Sequence, residues 1–287
     1  MTLVMKSKPV VDEMAESLSE RVARLKDRGV TPTLAILRVG ERPDDLSYER
    51  TAVKRAESLG IAVKVFALDA FTTPESLREQ IGVINDDPEV HGCLMFRPLP
   101  EFMDEKAMCD ALAPHKDVDG ISTAALGAVF ADSEEGFAPC TAEACLVMLD
   151  HYGIPAAGKH AVVVGRSLVV GKPVSMLMLK RNASVTICHS RTADLAAHTR
   201  KADIVICATG RPAAFGPEYF SEGQTVLDVG ISFDSEGRMR GDVDYETVEP
   251  IVAAITPVPG GIGSVTTSVT MSHVVAAAEK AAGVVRS

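Results

Sequence analysis

The chain has 287 residues, of which 46% are hydrophobic and 24% are charged, enough to bury the core of one large domain or two ordinary ones. Its net charge of −10 argues against a nucleic-acid binder, because such proteins neutralise phosphates with Lys and Arg. No apolar run reaches the roughly 20 residues that cross a bilayer, and the N-terminal segment carries no apolar run of signal-peptide length. We therefore expect a cytoplasmic protein without a membrane or nucleic-acid partner.

Helices and strands alternate along the chain, which predicts an α/β fold with parallel sheets. In the first part of the chain, helices are expected over residues 10–28, 45–59, 74–85 and 103–113, and strands over 33–39, 61–66 and 92–96. Thr73 is the expected N-cap of the third helix. Residues 121–139 are weakly patterned and are interpreted as a surface crossing between domains. A helix over residues 141–152, capped by Thr141, follows them.

A second alternating series occupies the rest of the chain. Its expected strands are residues 160–164, 184–188, 203–207 and 225–229, and its expected helices are 171–181, 192–201 and 266–282. The pattern therefore predicts two domains, one formed by residues 1–120 with 266–287 and the other by residues 121–265.

The six cysteines are scattered, contain no Cys-x-x-Cys pair and have no metal-binding spacing with nearby histidines. We interpret them as small buried thiols in a reducing compartment and expect no metal site. They are Cys93, Cys109, Cys140, Cys145, Cys188 and Cys207.

A glycine turn joins the strand ending at Val164 to the next helix. Gly165 follows the strand directly, and the helix is expected to begin near Gly171. Backbone N–H groups and the helix dipole at such a turn bind phosphate, and Arg166 and Ser167 lie within it. The Gly-x5-Gly spacing differs from the usual G-x-G-x-x-G, so the spacing alone fits a simple bend equally well. The alternating strands that follow favour a dinucleotide site.

The segment after the next strand indicates which dinucleotide binds. A site for NAD usually places Asp or Glu about 20 residues after the glycine turn, but this chain has no acid between Gly171 and Asp194. It offers three side chains that suit a 2′-phosphate instead, those of His189, Ser190 and Arg191, and Thr192 is a further expected cofactor-binding residue. We therefore predict NADP as the cofactor. The alternative is that Arg191 merely begins a helix and faces solvent.

Several sequence segments occur along the chain in the same order as the motifs of a known family. They are Val39 with Gly40, Tyr48, Gly60 with Ile61, Pro-Leu-Pro at 98–100, Lys-Asp-Val-Asp-Gly at 116–120, and residues 165–173, 189–192, 228–231 and 256–263. On these segments the chain resembles the bifunctional methylenetetrahydrofolate dehydrogenase/methenyltetrahydrofolate cyclohydrolase family over nearly its whole length. The resemblance implies two α/β domains with a folate cleft between them, a Rossmann-type NADP domain, and a cytoplasmic homodimer.

The resemblance also implies the site residues. Tyr48 would stack on the folate and Asp119 would accept the N–H groups of the pterin, which makes both catalytic-site residues. Without the family pattern, Tyr48 is an ordinary helix residue and Asp119 a turn residue before Gly120. The remaining implied contacts are Phe96, Pro257, Gly260 and Gly261 for the substrate, with Ile231 for the cofactor.

The sequence departs from the family where hydrolysis needs polar groups. The family has a Lys four residues after the Tyr, where this chain has Ala52, and a Gln before Pro-Leu-Pro, where it has Phe96. A third departure is Ser264-Val265, where the family has Pro-Met. Lys54 lies about 200° around the helix from Ala52 and should point away.

These departures predict the activity. Alanine and phenylalanine cannot move the protons that hydrolysis of the methenyl group requires, whereas hydride transfer to NADP mainly requires that two rings be positioned. We expect oxidation of 5,10-methylenetetrahydrofolate to 5,10-methenyltetrahydrofolate, with weak or absent cyclohydrolase activity. Arg97 is a poor substitute base, because a guanidinium stays protonated.

Three alternatives remain open. The chain could be fully bifunctional, with Lys54, His115 or a water molecule taking the missing role. It could be a non-catalytic folate- or nucleotide-binding protein, or its pocket could have changed to another substrate.

Overall fold

The computed structural model describes residues 1–234 and 236–284. In chain order its principal elements are β1 (Leu3–Val4), α1 (Ser7–Asp27), β2 (Thr33–Val39), α2 (Pro43–Ser58), β3 (Ala62–Leu68), α3 (Pro74–Asp86), β4 (Gly92–Met95), α4 (Glu105–Ala111), α5 (Thr123–Phe130), α6 (Cys140–His151), β5 (His160–Val164), α7 (Gly171–Lys180), β6 (Ser184–Cys188), α8 (Leu195–Thr199), β7 (Ile204–Cys207), β8 (Thr225–Asp228), β9 (Ser232–Phe233), β10 (Met239–Arg240), α9 (Tyr245–Val248), β11 (Ala254–Ile255) and α10 (Ile262–Ala281). No helix among the described residues combines the length and apolar character needed to cross a membrane.

The chain divides into two compact units. The N-terminal unit comprises Glu13–Cys140 with Thr267–Ser287, and the C-terminal unit comprises Met1–Asp12 with Thr141–Thr266. This division differs from the expected one at both ends of the first domain. Residues 1–12 group with the C-terminal unit because β1 pairs with β11. Residues 121–140 group with the N-terminal unit, where the Asp117 carboxylate accepts backbone N–H groups of the segment that follows it.

The N-terminal unit is built on a parallel sheet of three strands in the order β3-β2-β4. The central strand β2 is buried along its whole length, because apolar side chains alternate between the two covered faces of the sheet. Leu34 and Ile36 pack on one face, in a cluster that includes Leu18 of α1, Ala52 of α2 and Met271 of α10.

The opposite face of this sheet is covered by α3 and α4. Ala35 and Leu37 of β2 pack there with Leu77 and Met108. The carboxyl ends of β2 and β4 therefore emerge from a sheet that is fixed on both sides, and open parallel sheets bind ligands at such ends.

The C-terminal unit contains a parallel sheet of six strands in the order β1-β11-β8-β7-β5-β6. β5, the first strand of its α/β series, is flanked by β6 on one side and β7 on the other. Chain connections therefore leave the β5 region in opposite directions, which opens a crevice at the carboxyl end of β5.

The α/β architecture expected from the sequence is confirmed, and several local expectations need correction. Thr73 does cap α3, accepting from the Ser76 N–H at 3.2 Å. Thr141 is not a cap, because α6 already begins at Cys140. All six cysteines are buried, as predicted.

One helix was not expected, and others differ in extent from the prediction. Residues 121–139 contain α5, whose N-cap Ser122 accepts from the Ala125 N–H at 3.2 Å. The short α8 occupies only the middle of its expected range. α10 begins at Ile262 rather than at residue 266, because Ile262 and Val265 add buried apolar positions to its first turns. Gly263 is therefore helical and not part of the loop.

Candidate active site

Tyr48 lies one helical turn before Ala52 on α2. The helix begins with Pro43 at a position that needs no N–H donor, and its first turn carries Asp44 and Asp45. Ala52 is fully buried, whereas Tyr48 remains 37% exposed at the end of the same face. α2 thus fixes the backbone of Tyr48 and leaves part of the ring open to a ligand.

The hydroxyl end of Tyr48 faces polar groups. It hydrogen-bonds the Thr267 side chain, and burial raises the pKa of the phenol well above its usual value, with further increases from Asp119 and Cys140. The ring packs against Phe96, with centroids 5.4 Å apart and planes inclined by 48°. Tyr48 therefore presents a neutral O–H group at neutral pH.

Asp119 lies in the same unit, close to Arg97. The Asp119 Oδ2 atom is 3.8 Å from Arg97 Nη2, and both side chains are 23% exposed. Burial raises the pKa of Asp119 to about 6, Arg97 opposes this rise, and the nearby Asp117 adds to it. Asp119 is therefore mostly ionised at neutral pH and can accept two N–H groups.

The turn that carries Asp119 is rigidly built. The fully buried carboxylate of Asp117 accepts the backbone N–H of Ser122 at 2.9 Å. Gly120 has φ +67°, and a Cβ atom there would meet the backbone nitrogen of Pro139 at 2.5 Å. Only glycine fits this position, so the turn fixes where Asp119 stands.

A buried polar cluster behind Asp119 was not predicted. The His273 Nδ1 atom is 2.8 Å from the Val118 carbonyl oxygen, the Cys140 thiol donates to the same oxygen at 3.1 Å, and the Thr270 hydroxyl donates to the Cys140 sulfur at 3.3 Å. Asp119 also hydrogen-bonds Cys140. These residues come from three segments that are far apart in sequence, around residues 118, 140 and 270, and no local pattern connects the segments.

The two departures from the resembled family lie in an apolar environment. Ala52 is 0% and Phe96 5% exposed, and both belong to the cluster that contains Leu34 and Ile36. Lys54 is exposed, as its helical position predicts. His115, the other candidate replacement, is also exposed.

The loop implied to cover the ligand belongs to the C-terminal unit. Gly260 has φ +96°, and its carbonyl accepts the Ser7 N–H at 2.8 Å. A Cβ atom on Gly261 would overlap the Pro257 carbonyl oxygen, so the backbone folds back tightly here. Pro257, Gly260 and Gly261 thus form a tight turn, while Tyr48, Phe96 and Asp119 lie in the N-terminal unit.

The predicted phosphate turn stands at the carboxyl end of β5. Gly165 has φ +141°, and a Cβ atom there would overlap the Ala208 carbonyl oxygen at the end of the neighbouring β7. A Cβ atom on Gly171, the first residue of α7, would overlap the Gly165 carbonyl oxygen. Both glycines let the turn close tightly at the helix N-terminus, a geometry that fits a pyrophosphate.

Arg166 and Ser167 are exposed in this turn. The Ser167 Oγ atom accepts the Val170 N–H at 3.1 Å, which shapes the loop and leaves the hydroxyl hydrogen to donate elsewhere. The turn thus offers a cation and an O–H donor beside the helix N-terminus, a set of groups that fits an anionic ligand.

The polar segment at the end of β6 forms a compact turn. The Thr192 Oγ1 atom accepts the His189 N–H at 2.9 Å, and the His189 Nδ1 atom accepts the Arg191 N–H at 3.1 Å. The proton of a neutral His189 ring is therefore on Nε2, where it can be donated. Ser190 and Arg191 are exposed, and the next acid, Asp194, caps α8 by accepting from the Ala197 N–H.

Two buried carboxylates organise the loops after β7 and β8. Asp228 accepts the N–H groups of Gly230 at 3.1 Å and Asp242 at 2.9 Å, and burial raises its pKa to about 7. Asp242 accepts the N–H groups of Thr209 and Arg211. Ile231, the implied cofactor contact, follows this network and is 52% exposed. The segment Asp228-Val229-Gly230-Ile231 was recognised in the sequence as a family motif. The hydrogen bond from the Asp242 backbone N–H to the Asp228 carboxylate was not predicted.

Comparison with known proteins agrees with both units. Residues 5–119 match the family model described as the tetrahydrofolate dehydrogenase/cyclohydrolase catalytic domain. Residues 139–282 match the NAD(P)-binding domain model of the same family.

Similar proteins cover almost the whole chain. A Desulfitobacterium hafniense protein named bifunctional protein FolD 1 is 47% identical, over 96% of this chain and 99% of its own length. A bifunctional protein FolD from Carboxydothermus hydrogenoformans is 48% identical, over 97% of this chain and 98% of its own length.

Solved structures give the same result. The Campylobacter jejuni bifunctional enzyme FolD superimposes with a TM-score of 0.96 at 34% identity, covering 98% of this chain and 99% of that one. The Trypanosoma brucei enzyme, solved with NADP and an inhibitor, gives a TM-score of 0.92 at 32% identity and 98% coverage of each chain. The chain therefore belongs to the tetrahydrofolate dehydrogenase/cyclohydrolase family.

Proposed function

We propose that this protein oxidises 5,10-methylenetetrahydrofolate to 5,10-methenyltetrahydrofolate with NADP⁺, and that its cyclohydrolase activity is weak or absent. The observation that carries the proposal is the burial of Ala52 and Phe96 in an apolar cluster beside Tyr48. The residues assigned to substrate binding are present, and the groups assigned to proton transfer are missing. In this proposal the N-terminal unit holds the folate and the C-terminal unit holds the cofactor.

The oxidation needs no protein base. The hydride leaves the methylene carbon with both electrons of the C–H bond, and a folate nitrogen lone pair forms the new C=N bond, so the product is a methenyl cation. NADP⁺ supplies the hydride acceptor when bound. Tyr48 stacks on the folate and Asp119 fixes the pterin, and such positioning provides most of the catalysis.

Hydrolysis of the methenyl cation makes different demands. Water must lose a proton as it adds to the carbon, and a ring nitrogen must gain one as the ring opens. Positioned acid–base groups contribute about 10²–10⁴-fold to such steps. Neither Ala52 nor Phe96 carries a titratable group, and the phenol of Tyr48 holds its proton tightly.

NADP is the proposed cofactor because the turn at residues 189–192 offers donors and no carboxylate. Arg191 and the Nε2–H group of His189 suit the 2′-phosphate. The tight glycine turn with Arg166 and Ser167 would hold the pyrophosphate, with Ile231 and Thr192 bordering the cofactor. The Trypanosoma brucei relative was solved with NADP bound, which supports this assignment.

A second candidate is the full bifunctional enzyme. It is favoured by the names of relatives at 47% and 48% identity, which are called bifunctional proteins. In that case another group or a water molecule must handle the protons in place of the missing Lys, and Lys54 lies about 200° around α2 from Ala52.

The test of the oxidation is a spectral assay of the purified protein with 5,10-methylenetetrahydrofolate and either NADP⁺ or NAD⁺. We expect reduced cofactor to form with NADP⁺ in preference to NAD⁺. Absence of hydride transfer with both cofactors would reject the proposal and favour a binding protein or another substrate. A preference for NAD⁺ would reject the assignment of residues 189–192.

We further propose that the protein acts in the cytoplasm as a homodimer, as the resemblance implies. Its six buried cysteines agree with a reducing compartment. Sedimentation equilibrium of the purified protein would test the dimer, and a monomer at micromolar concentration would contradict it.

A further inference from the structure

The side chain of Arg97 holds hydrogen-bond donors that the protein does not use. A guanidinium carries five N–H donors. The buried Nε atom of Arg97 has no hydrogen-bond partner among the described residues. Buried donors are nearly always paired, but no acceptor of the described residues fixes this N–H group, and the Arg97 side chain is 23% exposed to a ligand.

Neither neighbouring carboxylate satisfies Arg97. Its Nη2 atom is 3.8 Å from Asp119 Oδ2, and its Nη1 atom is 3.8 Å from Glu105 Oε1. Both distances exceed the range of an N–H···O hydrogen bond. The other Glu105 oxygen already accepts the Leu99 N–H at 2.8 Å. Arg97 is therefore held by two charges at a distance while its donors stay available.

The position of Arg97 coincides with the proposed pterin site. It follows Phe96, whose ring packs on Tyr48, and its guanidinium stands beside Asp119. A guanidinium and a carboxylate next to each other present a donor beside two acceptors. One edge of a pterin presents the complementary set: the 2-amino group and N3–H donate, and the adjacent C4 oxygen accepts.

We propose that Arg97 is a specificity-determining residue of the folate site, donating to the C4 oxygen of the pterin while Asp119 accepts from the 2-amino and N3–H groups. The inference rests on the proposed folate-binding function and extends it. It assigns to Arg97 a role in recognising the 4-oxo form of the ring. The competing role is that of a counter-ion for Asp119, which would weaken pterin binding.

The test compares two ligands that differ at C4, tetrahydrofolate and its 4-amino counterpart, tetrahydroaminopterin, titrated calorimetrically at pH 8 with saturating NADP⁺. The protein should prefer the 4-oxo ligand. Arg97→Leu should lower this preference by about tenfold, the size expected for one charge-assisted hydrogen bond. Part of the preference should survive, because the diamino ring also lacks the N3–H that Asp119 accepts.

Two further variants separate recognition from folding and net charge. Arg78→Leu removes a cation from an exposed position on α3 and should leave the preference unchanged. Arg97→Gln keeps a polar side chain and serves if the Arg97→Leu variant does not fold. It should also lower the preference for the 4-oxo ligand. Circular dichroism and the thermal unfolding transition serve as the folding controls, because Arg97 lies in the N-terminal unit and NADP binding reports only on the C-terminal unit.

The outcomes are distinct. A preference unchanged in folded Arg97 variants, or tighter binding of both ligands, would overturn the role of Arg97 while leaving the dehydrogenase proposal intact. Failure of the unaltered protein both to bind tetrahydrofolate and to oxidise its methylene derivative would overturn the two proposals together.

Discussion

The ring of Phe96 packs on the ring of Tyr48 with their centroids 5.4 Å apart. An apolar side chain thus occupies the space beside the ring that is proposed to stack on the folate. The Tyr48 hydroxyl hydrogen-bonds the Thr267 side chain and interacts electrostatically with Asp119, so the polar contacts of Tyr48 are retained. This pairing leaves a site suited to holding a flat ring and poorly suited to activating water.

Restoring polar groups should restore hydrolysis. In the double variant Ala52→Lys with Phe96→Gln, we expect enzyme-dependent decay of methenyltetrahydrofolate to rise by about a hundredfold, within the usual contribution of acid–base groups. The decay is followed spectrally against buffer.

The matched control for that variant is Lys54→Ala in the unaltered protein. Lys54 is exposed, so its loss should not change the decay. Hydrolysis by the unaltered protein that disappears in Lys54→Ala would show that Lys54 handles the proton in place of the family Lys that Ala52 replaces.

Protonation of Asp119 should weaken folate binding at acidic pH. Its pKa is raised to about 6, so lowering the pH through 6 protonates it and removes an acceptor from the pterin. We expect the KM for methylenetetrahydrofolate to rise below about pH 6 while the Kd for NADP⁺ stays constant. A flat KM profile between pH 5 and pH 8 would remove Asp119 from the pterin site.

The same carboxylate should oppose folding when ionised. Because its folded pKa lies above the ordinary value, the folded state binds the proton more tightly, and stability is lost as the pH rises through about 6. Asp119→Asn should therefore raise the free energy of unfolding at pH 8 by on the order of 1–3 kcal/mol. The gain should shrink toward pH 4, and denaturant titrations at the two pH values measure it.

Arg191 should determine the preference between cofactors. Arg191→Ala removes a cation proposed to bind the 2′-phosphate, so the Kd for NADP⁺ should rise by about tenfold to a hundredfold, with little change for NAD⁺. Lys180→Ala, at the opposite end of α7 from the phosphate turn, removes an equal charge and should change neither Kd. Equal effects of Arg191→Ala on both cofactors would contradict the assignment.

Gly165 should tolerate no side chain. Gly165→Ala would bring a Cβ atom against the Ala208 carbonyl at φ +141°, lowering the free energy of unfolding by about 1–3 kcal/mol and weakening NADP⁺ binding. Gly82→Ala is the control, since Gly82 lies within α3 with open space around it. It should raise the free energy of unfolding by about 0.5–1 kcal/mol. Thermal unfolding distinguishes the two results.

The architecture was predictable because most strands and helices are indicated by local sequence patterns, such as an apolar run or an N-cap residue. β2 reads as an apolar run that ends at Gly40, and Thr73 marks the start of α3 in a way that the structure confirms. The start of α10 was not predictable in this way. Gly263 and Ser264 argue against a helix locally, and burial of Ile262 and Val265 outweighs them.

The site was predictable only as far as its motifs are local. The glycine turn at residues 165–171 follows directly from the spacing of strand and helix. The contact of Arg97 with Asp119 and the network of Cys140, Thr270 and His273 join residues from distant parts of the chain. Such contacts depend on the tertiary fold, which a single sequence does not encode as a local pattern.

The most direct measurement of the central claim is the stoichiometry of the first turnovers. Methylenetetrahydrofolate and NADP⁺ are mixed with the protein, and reduced cofactor and methenyltetrahydrofolate are followed together, with the spontaneous decay of the methenyl compound measured in parallel. We predict that the two products accumulate in equal amounts once spontaneous decay is subtracted. Reduced cofactor that exceeds the methenyl product, with added methenyltetrahydrofolate decaying faster than in buffer, would contradict the claim.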